Sequence, residues 1–238
     1  DMLLKDGAWS NRINLNMSGG GTTARYFVSA SYVKEDGMYN TDESLKDDYN
    51  TNAAYHRWNY RLNTDIDITK TTLLKVGVAG FLSKRNSPGL GDGDVWGELF
   101  GYNPIKTPVM YSNGYIPAIG SGNKTTMVAA TQTGFNENWT NNIETNISLE
   151  QNFDFITKGL KFVGRFGYDS NNQNTIRRLK WPEQWLAERA RDPETGELRW
   201  KKISGSQNMK QESSSSGNRR GIPRHDAKLG SFFWSSSP

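Results

Sequence analysis

The stretch Arg57-Trp58-Asn59-Tyr60-Arg61-Leu62-Asn63-Thr64-Asp65-Ile66-Asp67-Ile68-Thr69 decides the fold. Its even positions carry Trp, Tyr, Leu, Thr and Ile, whereas every odd position is polar or charged. Successive side chains of a β-strand point to opposite faces of the sheet. The alternation therefore predicts a strand with one apolar and one polar face.

The same division recurs on both sides of this stretch. It predicts strands near 11–18, 24–33, 57–69, 73–83, 141–154 and 160–169. Strands of this length exceed the roughly 5 or 6 residues of a globular strand and approach the ~9–11 residues that a tilted strand needs to cross a bilayer. Aromatic residues such as Tyr26, Trp58 and Phe153 stand near the ends of the apolar faces, as in the interfacial girdles of membrane barrels.

Short and long connections alternate between these strands. The short ones are 19–23, 70–72 and 155–159, and the long ones are 34–55, 84–140 and 170–224. Outer-membrane barrels have short periplasmic turns and long extracellular loops. The pattern predicts an all-β fold, namely about six antiparallel strands of a transmembrane β-barrel in up-and-down hairpins, with the long loops outside the cell.

Composition agrees with this reading and excludes others. Only 34% of the 238 residues are hydrophobic and the mean hydropathy is −0.75, which is lean for a soluble core. No apolar window reaches the ~18 residues of a membrane-spanning helix. The chain contains no cysteine, and its net charge of +4 is scattered rather than gathered into a nucleic-acid-binding stripe.

Two segments of the last long connection have signals of their own. Residues 181–190 begin with Trp-Pro and read as a short helix that ends at the turn residues 192–196. Residues 207–217 include four consecutive serines and are expected to be mobile.

Particular strings resemble a known family. Asn14-Leu15-Asn16-Met17-Ser18-Gly19-Gly20-Gly21 followed by Tyr26-Phe27-Val28-Ser29 resembles the first barrel hairpin of SusC/RagA-type TonB-dependent transporters of Bacteroidetes. Tyr60-Arg61-Leu62-Asn63, Pro108-Val109-Met110-Tyr111 and Gly159-Leu160-Lys161-Phe162 are similar to later motifs, in the family's order.

The resemblance implies a place and a role. The chain would be the N-terminal part of an outer-membrane barrel of a Gram-negative cell, with the signal peptide and plug absent. The whole protein would import oligosaccharides or peptides actively, with TonB coupling through the missing N-terminal part and a SusD-like surface lipoprotein as partner. One departure follows Arg224, where the family would continue into another amphipathic strand but residues 229–238 alternate poorly.

No residue pattern predicts catalysis, a cofactor or a metal site, so we expect a protein that is not an enzyme. The Gly89–Asp94 stretch lacks the spacing of a calcium loop and reads as a flexible loop. The polar residues of two strands are predicted to line the barrel lumen. They are Arg57, Asn59, Arg61, Asn63, Asp65, Asp67, Asn142 and Glu144.

Loop aromatics are candidates for stacking on sugar rings, although packing of the loops on themselves is the more ordinary role. They are Trp96, Tyr102, Tyr111, Tyr115, Trp181 and Trp185. The alternative from another class is a soluble, secreted β-sandwich that binds carbohydrate. It predicts apolar strand faces packed against each other, with no systematic difference between the two ends.

Overall fold

The chain folds mostly into antiparallel β-sheet, so the all-β prediction is confirmed. A computed structural model describes residues 3–40, 51–101, 103, 105–119 and 125–205, and the backbone of 210–220 and 224–229. The elements are β1 (Ser10–Gly20), β2 (Ala24–Glu35), β3 (Tyr55–Thr69), β4 (Thr72–Pro88), α1 (Asp92–Gly101), β5 (Ile116–Pro117), α2 (Thr126–Thr131), β6 (Gly134–Asn152), β7 (Lys161–Leu179), β8 (Gln184–Arg191), β9 (Leu198–Ser204), β10 (Lys210–Arg220) and β11 (Arg224–Leu229).

The main sheet follows chain order, β1-β2-β3-β4-β6-β7, with every pair antiparallel. Two strands pair with the outer edge of β7: β10 pairs with residues 170–179 and β11 with residues 162–167. All six predicted strands are present and most run past their predicted ends. The largest extensions are those of β6, which begins at Gly134, and β7, which ends at Leu179.

The two ends of the main sheet differ. Connections 21–23, 70–71 and 153–160 lie at one end, here called the turn end. Connections 36–54, 89–133 and the segment after β7 leave from the opposite end, here called the loop end. Short and long connections therefore alternate in the structure as they do in the sequence.

Strand register gathers the apolar side chains on one side of the sheet. The apolar face comprises the odd positions of β1 and β6 and the even positions of β2, β3, β4 and β7, because Leu15 pairs with Ala30, Val28 with Leu62, and Val76 with Ile147. No described layer buries this face. Leu15 is 68% exposed, Trp58 38%, Leu62 40% and Leu149 39%.

The remaining positions form the polar face. Arg61 of β3, Ala79 of β4, Glu144 of β6 and Asp169 of β7 follow one another across four strands. A sheet with one uncovered apolar face and one polar face differs from a sandwich half, in which the apolar face is buried.

The buried core of the described residues lies at the loop end. It is a cluster of Leu3, Tyr39, Val95, Ala129 and Ala130. Helix α1 packs on α2, and both contact the end of β4. The core thus holds the long connections together and leaves both faces of the main sheet open.

A second, smaller sheet corrects the helix predicted at 181–190. Residues Gln184–Arg191 are a strand, paired in parallel with β5 and antiparallel with β9. Strand pairing with β9 and stacking of Trp185 on Tyr115 outweigh the local helix signal, because tertiary packing overrides weak propensity. The predicted turn is present, since Asp192 and Glu197 close a hairpin there.

The serine-rich segment predicted to be mobile is also a strand over its second part. Residues 210–217 belong to β10 and pair along β7, while 207–209 lie outside the described residues. Backbone hydrogen bonds to β7 hold this segment in the sheet, although its serine side chains show no strand pattern. Strand β11 likewise continues the sheet from Arg224 to Leu229, while residues 230–238, most of the stretch with poor alternation, lie outside the described residues.

The turn between β6 and β7 is fixed by one carboxylate. Asp154 accepts a hydrogen bond from the Gly159 backbone N–H at 2.7 Å and another from Asn152 Nδ2 at 2.6 Å. These bonds, the Gly159 bond first, lower the pKa of Asp154 below its usual 3.8. The ionised carboxylate is therefore the form that stabilises the turn.

We expect Asp154→Ala to be less stable than the wild type above about pH 4, and the difference to vanish at lower pH. The folded-state pKa is depressed, so the contribution is present above the unfolded-state pKa and lost as the pH falls through the folded-state value. Urea unfolding of both proteins from pH 2 to pH 7 measures it. A difference that is independent of pH would contradict the role of the charge.

Candidate functional site

The eight residues predicted to line a lumen all lie on the polar face. Six are on β3 and two, Asn142 and Glu144, are on β6. Between them β4 presents the small residues Gly77 and Ala79. The longer polar side chains on either side of Ala79 leave a groove with a cavity of about 340 Å³, which is lined by five of the eight predicted residues, Arg57, Asn59, Arg61, Asn142 and Glu144. The structure thus brings together residues that are about 80 positions apart in the chain.

Hydrogen bonds hold the two walls of this groove. On the β3 wall Arg57 Nε donates to Asn59 Oδ1 at 2.8 Å, and Asn59 Nδ2 donates to Ser31 Oγ at 2.9 Å. The Arg57 guanidinium also lies 4.1 Å from the centre of the Phe81 ring, within cation–π range. On the β6 wall Asn142 Nδ2 donates to Glu144 Oε1 at 3.0 Å.

A second groove continues along the polar face over β6 and β7. Its cavity is about 590 Å³ and shares Glu144 with the first. Glu150 binds two cations there, Lys75 at 2.7 Å and Lys161 at 2.5 Å. Lys75, Arg165 and Asp169 are lining residues that the sequence prediction missed. All three occupy polar-face positions of the alternating pattern, and this alternation could have predicted them as lining residues.

Three of the predicted loop aromatics, together with one that was missed, form a cluster on the small sheet. The Tyr115 and Trp185 rings stack with centres 4.4 Å apart and an interplanar angle of 13°. Trp200, which the sequence prediction missed, meets Tyr111 at 4.7 Å and Tyr115 at 5.5 Å. The rings pack on one another, as the ordinary role predicts, and each ring offers less free surface to a ligand.

The other predicted aromatics are elsewhere. Trp96 lies on α1 and lines a cavity of about 540 Å³ at the loop end. Trp181 precedes β8 and is exposed. Tyr102 lies outside the described residues. The five described aromatics therefore do not form one stacking surface.

The loop-end cavity contains an anchored tyrosine. Tyr39 is only 6% exposed, and its hydroxyl donates to Asp92 Oδ1 at 3.2 Å. Asp92 also accepts a bond from Arg85 at 3.1 Å. Burial first, and the neighbouring Asp92 charge second, raise the pKa of Tyr39 to about 12. The neutral phenol is therefore the stabilising form.

We expect wild-type protein to be more stable than Tyr39→Phe below pH 10, and to lose that advantage between about pH 10 and 12. The folded-state pKa lies above the unfolded value of 10.0, so unfolding releases a proton in this range and stability falls as pH rises. Urea unfolding at pH 8 and pH 11 tests this, with Tyr111→Phe as control. If the stability advantage of the wild type over Tyr39→Phe and over Tyr111→Phe fell equally between pH 8 and pH 11, the role of Tyr39 would be contradicted.

The glycine-rich stretch before α1 is also more ordered than predicted. Residues 89–91 form a turn between β4 and the start of α1 at Asp92. This is the strand–turn–helix context of a phosphate site, but Asp92 and Asp94 occupy the first helical turn. Their negative charges oppose an anion at that position.

The described residues contain no cluster of three metal-ligating side chains. Within the same residues, neither helix has the length and hydropathy needed to cross a membrane.

Comparison with protein-family models gave no match, and comparison with curated proteins gave no significantly similar sequence.

Proposed function

We propose that the main sheet is part of a membrane-spanning β-barrel in the outer membrane of a Gram-negative cell. In this arrangement the apolar face contacts lipid and the polar face lines the lumen. The single observation that carries the proposal is the uncovered apolar face, which extends over six long antiparallel strands opposite a polar face. Removal of apolar area from water is the main driving force of folding, and contact with lipid would remove this face from water.

The height of the apolar face supports this proposal. On β3 it extends from Trp58 to Ile68. At roughly 3.3 Å per residue and a strand tilt of about 40°, this span is about 25 Å tall, which matches the apolar band of membrane barrels. Aromatic residues Trp9, Tyr32, Trp58 and Trp139 stand near its loop end, where an interfacial girdle is expected.

The edges of the sheet indicate further strands. Strand β1 pairs only with β2 among the described residues, and all of its side chains are exposed. Unpaired backbone N–H and C=O groups are not tolerated in lipid, so a barrel must close on this edge. The lumen would then be bordered by the two grooves of the polar face, whose cations and carboxylates suit hydrophilic solutes.

The proposed activity is active import of an oligosaccharide or peptide, without catalysis and without a cofactor. Sequence resemblance to SusC/RagA-type transporters suggests the partners, a SusD-like lipoprotein above the long loops and TonB on the periplasmic side. The loop end carries the cavity at Trp96, which is a feature suited to contact with cargo or lipoprotein.

The alternative is a secreted β-sandwich that binds carbohydrate. It requires the apolar face to be covered by a second sheet and the two ends to be alike. The exposure of Leu62 and Leu149 and the difference between the turn end and the loop end both weigh against it.

Fractionation of the source cells tests the proposal. We expect an antibody against the chain to detect a detergent-extracted outer-membrane band several times larger than 26.8 kDa. An inner-membrane protein and a periplasmic protein serve as fraction controls. A soluble band at 26.8 kDa would refute the barrel and favour the sandwich.

A further inference from the structure

The apolar face ends in a row of basic residues at the loop end. Strand register places Lys34, His56 and Lys84 side by side on β2, β3 and β4, with Trp139 next on β6. All four are on the apolar face by the alternation of their strands. Neighbouring strands are about 4.8 Å apart, so the row is about as wide as one lipid headgroup.

The row lies directly beyond an aromatic one. Tyr32, Trp58 and Leu82 are two residues further towards the turn end on the same strands. The Tyr32 hydroxyl lies 2.8 Å from His56 Nδ1, and the His56 ring stacks on Trp58 at 6.0 Å. Apolar, aromatic and cationic rows thus follow one another in the order of acyl chain, interface and headgroup.

The lysines are held in place without being buried. Lys34 Nζ lies 3.1 Å from Asp36, and Lys84 Nζ lies 2.7 Å from Glu137 and 4.8 Å from the Trp139 ring centre. Their side chains remain 40% and 32% exposed. Ion pairs at such exposure contribute little, so each ammonium can also bind a second anion.

We propose that this row binds the phosphate group of a membrane lipid in the leaflet at the loop end. The inference rests on the proposed membrane-spanning function and adds its lipid partner. Because the row lies on the lipid side of the strands, a phosphate carried by a lipid reaches it together with acyl chains on the apolar face. A polybasic site of this kind contributes affinity through each lysine near the surface.

The test uses the whole polypeptide, extracted from the outer membrane of its source cells and reconstituted into vesicles. Tryptophan fluorescence compares its partitioning into phosphatidylcholine vesicles with that into vesicles that also contain diphosphorylated lipid A. The variant Lys34→Gln/Lys84→Gln removes the cations of the row. The matched control, Lys70→Gln/Lys158→Gln, removes two lysines from connections at the turn end.

We expect the wild type to prefer the lipid A vesicles by about tenfold, a preference lost in Lys34→Gln/Lys84→Gln and kept in the control. Retention of the preference in Lys34→Gln/Lys84→Gln would overturn the site while leaving the barrel intact. Failure to insert into either vesicle would refute the barrel, and the site with it. Binding of inorganic phosphate to the wild type in phosphatidylcholine vesicles that is as tight as its binding of lipid A would overturn the lipid as the source of the phosphate.

Discussion

Replacing Leu62 by arginine is expected to lower the stability of the protein in a lipid bilayer by about 2–4 kcal/mol, the cost of a charge near the midplane of a membrane barrel. Leu62 lies in the middle of the apolar face, between Val28 of β2 and Val78 of β4. In lipid the guanidinium would lose its hydration there. In water the same position is 40% exposed, and the change would cost less than about 0.5 kcal/mol.

The neighbouring Asn63→Arg is the matched control, because residue 63 points to the polar face. Urea unfolding of both variants in vesicles gives the two free energies, and the amount of folded protein in the outer membrane gives the consequence in cells. Equal effects of the two substitutions would contradict a lipid-facing role for the apolar face. The measurement therefore separates the barrel from any soluble fold with the same sheet.

The second large effect is expected at Gly134, where β6 begins. Its φ is +91°, and a Cβ built there would lie 2.1 Å from the Arg178 carbonyl oxygen on β7. An L side chain at positive φ costs about 1–2 kcal/mol, and the backbone contact adds to that because neither strand can move without breaking its pairing. We expect Gly134→Ala to lower the free energy of unfolding by more than about 3 kcal/mol.

Gly159 provides the comparison that isolates the contact. Its φ is +82°, yet a Cβ at that position meets no atom within 4 Å. Gly159→Ala should therefore show the conformational cost alone, about 1–2 kcal/mol. Urea unfolding of both variants measures the difference, and equal losses would mean that β6 and β7 are not this close at the loop end.

The strands of the main sheet could be predicted from the sequence because the alternation of apolar and polar residues lies within each strand. Alternation in Arg57–Thr69 assigns each side chain to a face, and the same rule applied to β6 places Asn142 and Glu144 on the polar face. The extensions could not be predicted, since residues 170–179 are mostly polar on both faces and only Phe135 and Trp139 mark the apolar face of 134–140. Their pairing with each other, Gly134 with Leu179 at the far end, is what makes them strands.

Segments that depend on distant partners were predicted wrongly. Residues 184–191 have helix-forming Leu, Ala and Glu, but β5 and β9 turn them into a strand. The contacts of Trp200 with Tyr111 and Tyr115, made through that same small sheet, were also missed. A single sequence contains no pattern that pairs positions this far apart.

The order of strands in the main sheet has a consequence for how the protein folds. The hairpins closed at 21–23, 70–71 and 153–160 join strands through small loops, whereas β2 meets β3, and β4 meets β6, only across long segments. Loop-closure entropy rises with the number of residues enclosed, so these three hairpins should form first, each within microseconds. The slow steps would then be two mergers of finished hairpins, and a chaperone that delays aggregation would need to shield only three units.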